Sequence, residues 1–357
     1  MIVCSESRFP PSISRRYHII EKRYSTESNT VKITKELYYQ SIATTMCAPT
    51  ESAKEESPST GSSGCCVNLN RYNWINLLAY AVNVLVTFGI GLFGWTGTPD
   101  NGTLSARYET IVTPSGTAFS IWSLIFLAQG IWVVWQFVVP SARANKLIVH
   151  AVGYKHAILV AFQSGWTFAF GYEVMWLSLV CMYGLLACLV WTIQSLQHYY
   201  KKDWKQYAIY QFPFSLHCGW IMAAAAVNTN ALVVFYAREN VTVQIVVAAV
   251  TLVALLVGAM FFLNQYPADL AIPLVLVWAL GWVYDKLSDP VETIVDRFSM
   301  EQIEGFKWGA LAGAALILAS TVLKALYVLC FALPRERRER QQQIEKASAS
   351  VPADHNV

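Results

Sequence analysis

Charged side chains are sparse in this chain, 14% of 357 residues against 55% that are hydrophobic, whereas soluble domains carry about a quarter. That deficit excludes an ordinary water-soluble globule and points to a bilayer as the natural solvent. The net charge of +3 is small, and no long basic block runs through the apolar region, which excludes nucleic acid as a partner. There is no C-x-x-C pair and no Cys/His ligand spacing among the eight cysteines. Cys181, Cys188, Cys218 and Cys330 sit inside apolar runs and read as small buried hydrophobes, so no metal site is expected. Gly-rich phosphate loops, nucleophile elbows and H-E-x-x-H are missing too, and no enzyme activity is expected.

Long apolar runs are what the sequence does have. A hydrocarbon core about 30 Å thick needs about 20 mostly apolar residues per helix. Eight stretches meet that need: Tyr72–Trp95, Thr117–Val139, Leu147–Phe170, Val174–Leu196, Tyr207–Tyr236, Val241–Leu263, Ala268–Tyr284 and Phe306–Phe331. The predicted fold is therefore all-α, an integral membrane helical bundle of about eight transmembrane helices. Short connections make neighbouring spans antiparallel. The middles of the first six spans hold no acidic residue, unlike a proton-coupled carrier or an intramembrane protease, and no inverted repeat is visible. Asp269, near the start of the seventh span, and Lys324, late in the eighth, fall toward one leaflet and are placed to pair; snorkelling of Lys324 to the interface is the alternative.

The flanks differ in composition. Residues 1–70 mix Ser, Thr, Glu and Lys and read as a disordered or targeting segment, with Met46 offering a second start and Cys65-Cys66 read either as a palmitoylation site or as a plain pair of reduced thiols. A basic, polar tail spans 334–357. With an even span number both ends share one side. That side collects Arg71, Arg143, Lys146, Lys201, Lys202, Lys205 and the arginines from Arg335 to Arg340, against Arg107, Arg238, Lys286, Arg297 and Lys307 opposite. If the membrane is a secretory one, the bias places both termini in the cytoplasm. The sequons at Asn101 and Asn240 fall on the other side; which membrane holds the protein is left open.

Thirteen tryptophans lie in the chain. Trp74, Trp95, Trp191, Trp204, Trp282 and Trp308 sit at span ends, where aromatic belts form, while Trp122, Trp166 and Trp220 do not fit a belt so well. Thr113 is placed to cap the second helix, with Pro114 at its first position. Trp122 and Phe126 are one turn apart; Gln163, Trp166 and Phe170 share a face; His217, Trp220, Ala224 and Asn228 form a stripe. Gly219 and the Ala223–Ala226 run permit close helix approach. Read from residues alone, these rings fill a helix bundle as readily as they line a pocket.

The text from Thr113 to Phe126, TPSGTAFSIWSLIF, resembles the start of the second span in the tryptophan-rich sensory protein or translocator protein (TspO) family, and is most similar to its longer, divergent relatives. Gln163, Trp166 and Phe170 resemble the family's N-x-x-W-x-x-x-F, with Gln for Asn. Trp220, Ala224 and Asn228 resemble its W-x-x-x-A-x-x-x-N, and Asp269 to Ala279 the D-x-x-x-P-L-V-x-x-W-A of the longer relatives. Phe119 and Trp122 depart from the family in being three rather than four apart, and Pro213 lies farther from Trp220 than usual. The resemblance implies a five-helix core over 72–236, with three additional helices over 237–333. It implies a ligand site formed by Pro114, Phe119, Trp122, Phe126, Gln163, Trp166, Phe170, His217, Trp220, Ala224 and Asn228. The implied partner is a small flat apolar ligand, a porphyrin or other tetrapyrrole or a sterol-like lipid, alongside membrane lipid; a homodimer is compatible with it. The alternative is a secondary transporter or channel for a small hydrophobic solute.

Overall fold

Asn70 opens the first helix. Its side-chain oxygen accepts from the backbone N–H of Tyr72 at 2.9 Å and of Asn73, and the Asn73 side chain returns a bond to the Asn70 N–H at 2.8 Å, so orphan amides at the helix start are satisfied locally. This is a computed structural model, and it describes residues 68–199 and 204–332 with isolated positions as far as 342. The readings made for residues 1–67, for Lys201 and Lys202, and for most of the 334–357 tail lie outside the described residues. Within them all regular structure is helical: α1 (Arg71–Val86, prolonged by a π-helical turn Thr87–Leu92), α2 (Ile121–Val138), α3 (Lys155–Gly171), α4 (Met175–Tyr199), α5 (Phe212–Tyr236), α6 (Val241–Asn264), α7 (Ala271–Ser288) and α8 (Met300–Tyr327). Seven of these, all but α3, lie in segments long and apolar enough to cross a membrane. The protein is an all-α membrane bundle of about eight helices.

The third span differs from its expectation. Leu147–Phe170 is not one helix: a π-helical turn at Leu147–Val152 ends at Gly153, whose φ of 52° lies in the left-handed region, and α3 restarts at Lys155. Glycine adopts that conformation without a Cβ penalty, which makes it the natural break. The start of α2 differs too. Thr113 does not cap it; its hydroxyl accepts from the Thr110 N–H at 3.1 Å, and a 3₁₀ turn, Gly116–Ser120, leads into the helix instead.

Five helices close a ring. α1 packs on α2 and α3, α3 on α4, α4 on α5, and α5 on α2, while α6, α7 and α8 pack together with α6 and α7 against α5. Helix α5 is common to both groups and is buried along nearly its whole length, from Pro213 to Val234. Gly219 allows this: a Cβ there would stand 2.7 Å from Val275 Cβ and 3.0 Å from the Ile272 carbonyl oxygen of α7.

Of the two readings for Asp269 and Lys324, the pairing is not formed. Asp269 is fully buried and accepts from the Tyr207 hydroxyl at 3.1 Å, the Gln211 amide at 2.9 Å, the Ser215 hydroxyl, and the backbone N–H groups of Ala271 at 3.0 Å and Ile272 at 3.3 Å. Neutral donors and the α7 N-terminus stabilise this carboxylate, leaving no geometric need for a lysine.

Candidate functional site: an aromatic cavity beside the α1–α2 loop

The α1–α2 loop folds back over its end of the bundle. Asp100 caps a short helix, Asn101–Arg107, by accepting from the Thr103 N–H at 2.9 Å and hydroxyl at 2.6 Å. Helix α7 holds the chain after it, where the Ser115 N–H donates to the Trp282 carbonyl at 3.1 Å and the Trp278 indole to the Ala118 carbonyl at 3.2 Å. Beneath this loop lies a cavity of about 580 Å³, lined by the α1 π-turn (Thr87, Phe88, Gly91), the loop helix (Asn101, Ser105), α2 (Trp122, Phe126), α3 (Gln163, Trp166) and Lys286 of α7. A narrower apolar cleft of about 80 Å³ continues along α5 past Trp220, Ala224 and Asn228, and shares Pro114, Phe119, Trp122, Gln163 and Trp166 with the larger space.

The rings form two contact groups, one around Trp122 and one at Trp166. Trp122 lies 5.8 Å from Phe126 and 6.3 Å, edge-on, from Trp220, while Phe119 meets Trp220 edge-on at 5.4 Å. Trp166 stacks on Phe170 at 5.3 Å with 12° between the ring planes. Their orientation is fixed by polar partners. The Trp166 indole donates to Asn228 Oδ1 at 2.9 Å, and the Asn228 amide donates to Ser178 at 3.2 Å. The Gln163 amide donates to Thr87 at 3.2 Å, leaving Gln163 Oε1 without a protein partner among the described residues.

Ten of the eleven sequence-derived site residues therefore line one or both spaces: Pro114, Phe119, Trp122, Phe126, Gln163, Trp166, Phe170, Trp220, Ala224 and Asn228. His217 does not. It is fully buried behind the site, its Nδ1 at 3.0 Å from the Gln129 amide and its ring edge-on to Trp122 at 5.6 Å. Three residues fall about 60° short of a full helical turn, and that offset sets His217 against Gln129 of α2 while Trp220 lines the cleft. The amide of Asn228 is committed to Trp166 and Ser178, so its effect on the cleft is to position an indole.

Charge at the cavity was not legible in the sequence. Glu109, nearly buried, pairs with Lys286 at 2.8 Å, and its backbone carbonyl accepts from Arg297 at 2.9 Å. Both partners are far along the chain, and no local spacing signals such a contact. Beside them, Glu173 in the α3–α4 turn pairs with Arg107 at 2.6 Å and accepts from the Tyr108 hydroxyl; those contacts hold its carboxyl below the usual range. Tyr108 in turn lines the apolar cleft.

The bundle is that of a multi-pass membrane protein, and its cavity is walled by tryptophan and phenylalanine, with a few amides and one ion pair. The chain matches the TSPO-like protein family model over residues 73–330, well over half its length, and it belongs to that family. The match runs through α6, α7 and α8 as well as the five-helix ring. No curated protein and no solved structure matches the chain.

Proposed function

We propose that the protein binds a flat apolar molecule, a porphyrin or other tetrapyrrole or a sterol-like lipid, in the aromatic cavity, and acts as a sensor or translocator of it. The observation that carries this reading is the convergence of Trp122, Phe126 and Trp166 on a space of about 580 Å³, within the roughly 300–1,000 Å³ usual for small-molecule sites. Gln163 Oε1, Asn101 and the hydroxyl groups of Thr87 and Ser105 supply the few polar contacts that would orient a ligand. The ionisable lining residues are engaged with one another or with backbone, Glu109 with Lys286 and Asp100 with its helix, which suits binding rather than catalysis.

Titration of the purified protein with protoporphyrin and with a fluorescent sterol, followed by quenching of tryptophan emission, tests the reading. Trp166→Leu and Trp122→Leu each remove a ring while keeping the span apolar, and affinity is expected to fall about tenfold, the equivalent of roughly 1.4 kcal/mol. Unchanged affinity for both ligands in the Trp122, Trp166 and Trp220 variants alike would sink the proposal and leave the rings as packing.

A further inference from the structure

The inward faces of three ring helices are polar. Helix α1 buries Asn73, Asn76 and Asn83, α2 buries Gln129 and Gln136, and α3 buries His156 and Gln163, with His217 of α5 facing them. Hydrogen bonds fix how these groups line up. Gln136 Oε1 accepts from Asn73 at 3.3 Å and Asn76 at 3.1 Å; Gln129 meets His217 at 3.0 Å; Gln163 donates to Thr87, whose hydroxyl lies 3.4 Å from Asn83 Oδ1. Between the Gln136 and Gln129 levels, Trp132 sits edge-on to His156 at 5.1 Å. At a rise of about 1.5 Å per residue, Gln136, Trp132 and Gln129 mark steps of roughly 5 Å, and the same spacing carries the series to Gln163 at the cavity wall.

Many of these groups are left half-used. Asn76 Oδ1, Asn83 Nδ2, Gln129 Oε1, Trp132 Nε1, both nitrogens of His156, Gln163 Oε1 and His217 Nε2 are buried and meet no protein partner among the described residues. Leaving them unpaired would forfeit their hydration, and the bilayer offers no compensation. Their chemistry identifies what pairs with them. An anion needs donors and a cation needs acceptors, whereas this series mixes amide oxygens with amide and indole N–H groups and contains no formal charge. Water both donates and accepts, and one water bridging two groups at about 2.8 Å each spans roughly 5.5 Å, close to the step between levels.

We propose that the interior of the five-helix ring is a hydrated column, a file of ordered waters running from the aromatic cavity at Gln163 past His217, Gln129, His156 and Trp132 to Gln136, Asn76 and Asn73 at the opposite end. The column makes a second, polar site distinct from the apolar cleft along α5, accessible to water and small neutral hydrogen-bonding solutes and closed to ions. It does not depend on which ligand the cavity takes.

Radiolytic hydroxyl labelling of the full-length protein in lipid nanodiscs, read by mass spectrometry, reports water in contact with buried side chains. Trp132, His156 and His217 are expected to be oxidised within a millisecond pulse, while Phe262 of α6, also buried, stays unmodified. The double variant Gln129→Leu, His217→Phe is expected to lower labelling of Trp132 and His156 at least threefold and to leave Trp166 at the cavity unchanged. Absence of labelling at Trp132, His156 and His217 in the wild-type protein, with Trp166 labelled, would show the column to be dry and overturn the proposal. So would labelling of Trp132 and His156 that the double variant leaves untouched. The wild-type measurement stands alone if the variant does not insert.

Discussion

Glu173 has φ of 58°, a left-handed backbone that a side chain-bearing residue adopts at a cost. Glycine would relieve the strain, yet only a carboxylate supplies the contacts to Arg107 and Tyr108 that tie the α3–α4 turn to the loop over the cavity. Because the folded carboxyl titrates below its usual value, chiefly through the Tyr108 hydroxyl, its stabilisation is fully present above the unfolded value near 4.5 and is lost as pH falls through the folded one. Glu173→Gln is therefore expected to lower the melting temperature at pH 7, by no more than a few degrees given the partial exposure of the pair. The gap to wild type should close as pH falls below the ordinary value of 4.5, and a gap that stays constant into acid would rule the ion pair out as its cause. At this scale the sequence was most informative about rings. Helical spacing showed that Trp122, Trp166 and Trp220 lie on helix faces but read equally well as packing, and it was the family resemblance that singled them out. Lys286 and Glu109 were not legible, because their encounter depends on how α7 docks against a loop formed far earlier in the chain.

Helix positions were legible for a local reason, since eight apolar stretches are visible without knowing their neighbours. What the sequence hid were the interruptions: Gly153 breaks the third span, and the Thr110–Thr113 turn takes the cap expected of α2. Both depend on which of several local bonds tertiary packing favours. The start of α7 shows the same principle. Asp269 reads as an ion-pair candidate, but two helix N–H groups and three side-chain donors reach it first. Asp269→Ala is expected to destabilise the protein by about 2–4 kcal/mol, since it removes a cap and strands Gln211 and Ser215 as buried donors. Adding Lys324→Met should contribute no more than its own separate effect, as read from thermal melts of the two single variants and the double. A coupling above about 0.5 kcal/mol would show that the two residues do interact.

Seen as a whole molecule, the bundle has a five-helix ring and a three-helix layer joined through α5. The sequence suggests that the layer is an addition to a self-sufficient core. The structure instead brings α7 to the cavity through Lys286 and clamps the α2 start from Trp278 and Trp282. A chain ending at Glu239 loses that wall and leaves the α5 face around Gly219 against lipid. Its tetrapyrrole affinity, measured by the same quenching titration, is expected to drop at least tenfold even where the shortened chain inserts. Full retention would confine the site to the first five helices.

The asparagine face of α1 also bears on how such a chain enters a membrane. During synthesis α1 emerges before any partner exists, and Asn73, Asn76 and Asn83 would each face hydrocarbon at a cost of up to several kcal/mol. Gln136, which satisfies two of them, lies at the far end of α2, about sixty residues later. Satisfying those amides must then wait for α2, and the order of synthesis becomes part of what the polar interior dictates.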